Sequence, residues 1–323
     1  MLKLDRVRYA QGLALAAVLA ASQPAIAGYD LTLSGLTDED GGVNYDAFLS
    51  ARPNDNWTLN ASVGHTTSSV AFSNFSGTSY GLSANEAGRT CLHGGSTGMA
   101  TRVWEIADAG PHHLTLRLSL ADGDGGFPGN RVCDAAFVLG ADADLTLTLR
   151  ATTDAPTLMN RTTHRFWSLD GRATTAGHSL RVAADHYLAV DGDRIPVGAP
   201  QAVAGTRFDL QTGGVPELNA GYDHNWCLAP ARRPLSFAAE LTGLSGVRLV
   251  METTEPGLQI YDGARMDTAP HLGHSGQPYG ANAGIALEAQ GWPDAPNRPD
   301  FPAVRLDPGQ AHEQVTRWRF SRD

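Results

Sequence analysis

The sequence predicts an all-β protein whose antiparallel strands form a sandwich or a barrel. Three observations predict this class: helical i, i+3, i+4 spacing of apolar residues is scarce after the N-terminus, segments with alternating apolar residues recur, and Gly, Asp or Pro bound each segment. Many short strands separated by turn-forming residues are typical of such folds. The clearest segments are HLTLRLSL from residue 113, DLTLTLRAT from 144, SLRVAADHYLAV from 179 and GVRLVMET from 246.

The first 27 residues have the three parts of a secretory signal. A positively charged start precedes an apolar run from Gly12 to Ala21, and Ala25-Ile26-Ala27 has the A-x-A pattern of a cleavage site. The apolar run is too short to span a bilayer. We therefore expect residues 1–27 to be removed by cleavage before Gly28. We expect the mature chain to have no membrane span and to be exported, to the periplasm if the source is a Gram-negative bacterium. A buried N-terminal helix is the alternative.

The rest of the chain changes in composition near residue 80. Residues 28–76 are rich in Ser, Thr, Asn and Gly and are expected to form an atypical β-rich N-terminal segment, and residues 77–323 the main β-sandwich domain. The small alternating residues of NWTLNASVGHTTSS, from residue 56, fit a soluble sheet and also a transmembrane barrel hairpin. A few such strands cannot close a barrel, which favours the soluble sheet.

Charge excludes several classes of function. The formal net charge is −10 and no basic stretch follows the first residues, which argues against nucleic acid as a partner because phosphates need Lys and Arg. Lys3 is the single lysine. A P-loop and an internal Schiff-base lysine are therefore both excluded.

Three cysteines, Cys91, Cys133 and Cys227, are too few and too irregularly spaced for a disulfide framework or a zinc site. One disulfide in an oxidising compartment and three buried thiols are both compatible with the sequence.

The stretch GIALEAQGWPDAPNRPDFP, from residue 284, places a carboxylate in an apolar strand. Strand interiors disfavour Glu, and a buried carboxylate is costly unless it is paired or hydrogen-bonded, so Glu288 needs a reason. Similar ionisable groups beside Gly, aromatic or amide residues occur in CLHGG from residue 91, NRTTHRFWSLDG from 160 and GYDHN from 221. Each alone is compatible with an exposed charge or a core histidine. Together they offer an acid–base pair and hydroxyl-binding groups, and Trp167 and Trp292 suit stacking on a sugar ring.

These stretches, in this order, resemble the aldose 1-epimerase (galactose mutarotase) family. The resemblance extends from about residue 77 to residue 320 and includes GTSYGLSANEAGRTCLHGG, GGFPGN, TTHRFWSLDG, GHSLRVAADHYLAVDGDRIPVG, GTRFDL, GYDHN, EPGLQIYDG, LEAQGWPDAPNRPDFP and LDPGQAHEQVTRWRF. It implies a large antiparallel β-supersandwich that binds a small-molecule aldose and interconverts the α and β anomers of an aldohexose such as galactose or glucose by acid–base ring opening and closure. It implies no metal and no organic cofactor. Monomer and dimer stay open.

The resemblance also assigns roles by position. Glu288 would be the base that takes the anomeric proton, and His164 the acid that protonates the ring oxygen. The remaining candidates would bind the sugar: His93 near the ring oxygen, Asp223 at the hydroxyls, and Gln259 and Tyr261 from PGLQIY, which passes near the pocket.

Two departures from the family pattern leave a second function open. Family members carry a sugar-contacting arginine before the Leu-His-Gly-Gly motif, but no Arg occurs between Pro53 and Gly88, where His65 is a candidate replacement. Phe166 stands where the family has a tyrosine. The alternative is a catalytically weak, carbohydrate-binding member of the fold.

Overall fold

The computed structural model of the chain describes residues 29–37, 43–51, 59–61, 63–65, 71–73, 79–273 and 276–322, and up to residue 79 it describes the backbone alone. The expected signal, residues 1–27, lies outside these ranges, and so does much of the expected segment 28–76.

Short strands dominate the described residues, with 3-10 turns at Met99–Thr101, Asp124–Gly126 and Ala295–Asn297. The segments from residues 113, 144, 179 and 246 were expected as strands and are confirmed as β8, β10, β14–β15 and β19. The strands are β1 (Tyr29–Thr37), β2 (Val43–Ala51), β3 (Leu59–Ala61), β4 (Val63–His65), β5 (Ala71–Ser73), β6 (Ser79–Gly81), β7 (Glu105–Gly110), β8 (His113–Leu120), β9 (Arg131–Leu139), β10 (Asp144–Thr153), β11 (Thr157–Leu158), β12 (Arg161–Thr163), β13 (Phe166–Trp167), β14 (Ser179–Val182), β15 (His186–Tyr187), β16 (Gln201–Ala202), β17 (Asp223–Cys227), β18 (Ser236–Thr242), β19 (Val247–Thr253), β20 (Gly257–Tyr261), β21 (Ile285–Gln290), β22 (Arg305–Leu306) and β23 (His312–Arg322).

Two large antiparallel sheets organise these strands. One has eight strands in the order β14-β18-β19-β23-β10-β9-β8-β7, and the other has six in the order β13-β21-β20-β17-β15-β16. Smaller sheets of two or three strands, such as β12 with β4, accompany them. The prediction of a large antiparallel β-supersandwich is confirmed.

The main core lies between the two large sheets. Leu147 and Leu149 of β10 belong to the same buried cluster as Trp226 of β17 and Leu258 of β20. Strand β10 alternates between buried and partly exposed positions because one of its faces meets this core. Each fully buried leucine contributes roughly 1.5–3 kcal/mol of hydrophobic free energy, so this cluster fixes how the sheets stack.

Strand β21 departs from this alternation, since all six of its residues are buried. Ile285, Leu287 and Ala289 belong to the core between the sheets. Successive side chains on a strand point to opposite faces, so Glu288 faces away from that core. Its burial therefore has another cause: Glu288 lines a cavity together with residues of loops, such as His93 and Arg194.

The three cysteines are free and buried, so the structure contains the three thiols and not a disulfide. Within the described ranges, no helix has the length and apolar character needed to cross a membrane.

Candidate active site

Three neighbouring strands of the six-stranded sheet place polar groups on the face opposite the core. Trp226 of β17 and Leu258 of β20 point into the core. The residues beside them in sequence, Asn225 and Gln259, must therefore point the other way. The ladder pairs Asn225 with Gln259 and Gln259 with Glu288. These three form a row across the sheet, at the roughly 4.8 Å spacing of adjacent strands.

His164 continues this row at the edge of the sheet. Strand β13 pairs with β21 so that Phe166 lies opposite Ala286. In an antiparallel register, the residue two positions before Phe166 comes opposite the residue two positions after Ala286. That places His164 beside Glu288, and the imidazole Nε2 lies 3.5 Å from the carboxylate Oε1.

Burial shifts both members of this pair, in opposite directions. Only 3% of the Glu288 side chain is exposed, and this burial raises the pKa of the carboxyl well above its usual value, with the charge of Asp223 raising it further. Burial lowers the pKa of the His164 imidazole. A carboxylate with a raised pKa is a stronger base, and an imidazolium with a lowered pKa is a stronger acid. Burial thus suits Glu288 to take a proton and His164 to give one.

A second histidine approaches the pair from a loop. The His93 ring meets the His164 ring edge to face, with centroids 5.4 Å apart. The loop is held by Asn85, whose side chain exchanges two hydrogen bonds with the backbone of Leu92. It also needs Gly98, because a Cβ there would lie 2.2 Å from the His93 carbonyl oxygen. Burial and the neighbouring His164 lower the pKa of His93 to about 4, so it is neutral near pH 7 and able both to donate and to accept.

Asp223 lies one step along the same face of β17, opposite Tyr261 of β20. Its Oδ1 accepts a hydrogen bond of 2.9 Å from Gln259 Nε2, and its Oδ2 lies 2.9 Å from Nη1 of Arg194. Burial raises the pKa of this carboxyl, while Arg194 and the hydrogen bond from Gln259 lower it. The oxygens that face the cavity are acceptors for hydroxyl groups.

All six predicted residues line one cavity of about 360 Å³, a size typical of small-molecule sites. They are His93, His164, Asp223, Gln259, Tyr261 and Glu288. The structure brings them together, and their individual roles stay predictions.

The family profile of aldose 1-epimerase matches residues 33–319. The chain belongs to the aldose 1-epimerase family. The match includes most of the segment 28–76, whose separation from the domain 77–323 stays a prediction.

Curated relatives agree with the membership in this aldose 1-epimerase family. An aldose 1-epimerase of Escherichia coli (strain K12) is 34% identical over 278 residues, covering 81% of this chain and 80% of that protein. A galactose mutarotase of Mus musculus is also 34% identical over 278 residues, covering 81% of this chain and 78% of that protein.

Solved structures show the fold of the family again. The GalM/aldose epimerase homologue from C. elegans has a TM-score of 0.77 at 24% identity, over 90% of this chain and 99% of that one. A galactose 1-epimerase from Lactobacillus acidophilus has a TM-score of 0.69 at 21% identity, over 91% of this chain and 99% of that one.

The expectation that Trp167 and Trp292 stack on a sugar ring is wrong for this member of the aldose 1-epimerase family. Trp167 is buried against Trp318, with ring centroids 5.9 Å apart, and Trp292 packs edge to face on Phe301 at 5.0 Å. Neither lines the cavity. Large aromatic side chains stabilise cores strongly, and these two serve that purpose.

The sequence did not single out several polar residues of the cavity, among them Arg194, Arg265 and Asn225. Strand alternation from Asp223 could have identified Asn225, two positions later on the same face. Arg194 follows β15 in a turn, and Arg265 follows β20 in another. Turns place side chains without a fixed period, so no pattern pointed to these two.

Among the described residues, no group of three or more His, Cys, Asp and Glu is arranged to hold a metal ion.

Proposed function

We propose that this protein interconverts the α and β anomers of an aldohexose such as galactose or glucose, which makes it an isomerase. The observation that carries the proposal is the His164–Glu288 contact of 3.5 Å, made inside a covered cavity by two groups whose pKa values burial has moved in opposite directions.

In the first step Glu288 takes the proton from the anomeric hydroxyl while His164 gives one to the ring oxygen. The bond between C1 and the ring oxygen breaks, and the sugar opens to an aldehyde with a hydroxyl at C5. No net proton is gained or lost, because Glu288 has gained the proton that His164 has lost.

The second step reverses the first on the other face of the aldehyde. After rotation about the C1–C2 bond, the C5 hydroxyl attacks C1 and returns its proton to His164, while Glu288 returns a proton to the new anomeric oxygen. General acid–base groups held within hydrogen-bond reach accelerate such transfers by about 10² to 10⁴. His93, with its lowered pKa, donates to an oxygen of the open form without carrying a charge itself.

Polarimetry of freshly dissolved α-D-glucose and α-D-galactose tests this proposal. The optical rotation should reach its equilibrium value at a rate that rises in proportion to protein concentration. A rate equal to that of buffer alone with both sugars would overturn it. Sugar binding without acceleration would establish the alternative, a catalytically weak binding protein.

A further inference from the structure

An arginine in an unfavourable backbone conformation projects into the cavity. Arg194 has a φ of 64°, in the left-handed region that residues with long side chains rarely adopt. Its side chain lines the cavity, and Nη1 lies 2.9 Å from Oδ2 of Asp223. Backbone strain of this kind is concentrated at functional sites.

The turn around Arg194, residues 190–196 and here called the strap, is held firmly. Val190 and Pro196 form an isolated β-bridge. The Asp191 carboxylate accepts hydrogen bonds from the backbone N–H groups of Asp193 and Ile195, at 2.9 and 3.0 Å. These bonds fix the turn on both sides of Arg194.

The strap is also tied to the loop that carries His93. Asp193 forms an ion pair with Arg89, four residues before His93. The strap, which carries the arginine, and the loop with the second histidine are therefore linked over the same cavity.

Stability alone does not explain this arrangement. The Arg194–Asp223 pair is partly exposed, and exposed ion pairs contribute little to folding stability, while the left-handed conformation counts against it. A guanidinium has five N–H donors in a planar fork, so its contact with Asp223 leaves it able to donate to further oxygens. The arrangement therefore suits a ligand rich in oxygen atoms.

We propose that Arg194 is a substrate-binding residue that, with Asp223, binds two neighbouring hydroxyls of the sugar. One hydroxyl oxygen accepts from the guanidinium, and the adjacent hydroxyl donates to the carboxylate. This assignment rests on the proposed function and specifies it further. Arg194 would also provide, from the strap, a positively charged sugar contact in place of the arginine that is missing between Pro53 and Gly88. Arg265 contributes less, because it is more exposed and its Nη2 lies 3.9 Å from the same oxygen.

Arg194→Asn is the decisive variant. Asn tolerates the left-handed conformation better than Arg, so the strap should keep its fold. With D-galactose, measured by NMR exchange between anomers, KM should rise about tenfold while kcat changes less than threefold. Tenfold is the lower end for a hydrogen bond to a charged group, as expected for a partly exposed guanidinium. Arg194→Lys, which keeps the charge and loses the fork, should give an intermediate KM.

A matched control separates a lost contact from a lost charge. Arg181 is 44% exposed and pairs with Glu240, which is 22% exposed; the values for Arg194 and Asp223 are 43% and 23%. Arg181 is on β14 and does not line the cavity. Arg181→Ala should therefore keep the parent KM.

Binding of D-galactose by calorimetry in the Glu288→Gln background tests the assignment without turnover. Adding Arg194→Asn to that background should weaken binding about tenfold. Unchanged KM and unchanged binding in the Arg194 variants, with an active parent, would overturn the role of Arg194. A parent that binds galactose without interconverting its anomers would instead overturn the proposed function, and a loss of binding in Arg194→Asn would still support the contact.

Discussion

Glu288→Gln should separate catalysis from stability. The amide has nearly the shape of the carboxyl, so packing on β21 should change little, but it cannot accept the anomeric proton. We expect kcat to fall by about 10² to 10⁴, which is about 2.7 to 5.5 kcal/mol of barrier. The carboxyl is almost fully buried, and its pKa is raised chiefly by that burial. Replacing it with a neutral amide removes the cost of burying a charge, so the free energy of unfolding at pH 7 should stay equal or rise.

Glu255→Gln is a matched control, because Glu255 is also buried and its pKa is also raised by burial. It lies outside the cavity and pairs with Arg232 at 3.0 Å. This variant should lose stability, since it leaves Arg232 without its carboxylate, and should keep the parent turnover.

NMR exchange spectroscopy would give kcat for both glutamate variants, and calorimetry their Tm. Parent-level turnover in Glu288→Gln would refute the assignment of the base. A clear drop in its Tm would refute the account of its burial.

The acid side of the site, a buried histidine outside it and the N-terminus give further expectations. His164→Gln should lower kcat by about 10² to 10⁴. The double variant with Glu288→Gln should lose less kcat than the product of the two single losses, because the two residues act in one proton relay. NMR exchange measures kcat for the single and the double variant. His178 Nε2 accepts a hydrogen bond of 2.9 Å from the Leu169 N–H, and burial lowers its pKa below 6.5 in the folded state. As pH falls below 6.5, the unfolded chain therefore binds a proton at His178 that the folded chain does not. The contribution of His178 to the free energy of unfolding is complete above pH 6.5 and is lost as pH falls, by up to about 1.4 kcal/mol per pH unit. Denaturant unfolding at pH 7.5 and 5.5 should show this loss, and His178→Gln should reduce the difference in free energy between the two pH values. Mass spectrometry of protein from the native host should find cleavage after Ala27, and an intact N-terminus in the cytoplasm would contradict export.

Strand alternation made much of the fold readable from the sequence. The alternating residues of β8, β10 and β19 reflect sheets with one face against the core, and a period of two is visible in one dimension. Glu288 was conspicuous for the same reason, since it interrupts an apolar strand. The order in which the strands assemble into the two sheets is set by contacts between distant residues, and the local pattern does not contain it.

The candidate site was readable where it lies on strands and less so where it lies on turns. His164, Gln259 and Glu288 share one row of the sheet, so motif and period agree on their placement. Arg194 owes its position to a left-handed turn and to the carboxylate of Asp191. The two tryptophans show the converse error: Trp167 points from β13 into the core between the sheets, and Trp292 follows β21 in a loop where it packs on Phe301.

The cations of the cavity have a consequence for the chemistry of the open sugar. Ring opening frees an aldehyde, and aldehydes condense with primary amines to form imines, the first stage of protein glycation. Both cations at Asp223 are guanidinium groups, which stay protonated, and the whole sequence has one lysine, Lys3. In the proposed mechanism the open sugar therefore forms beside side chains that carry no primary amine for imine formation. An enzyme that formed this aldehyde at every turnover would in this way avoid imine formation within its own cavity.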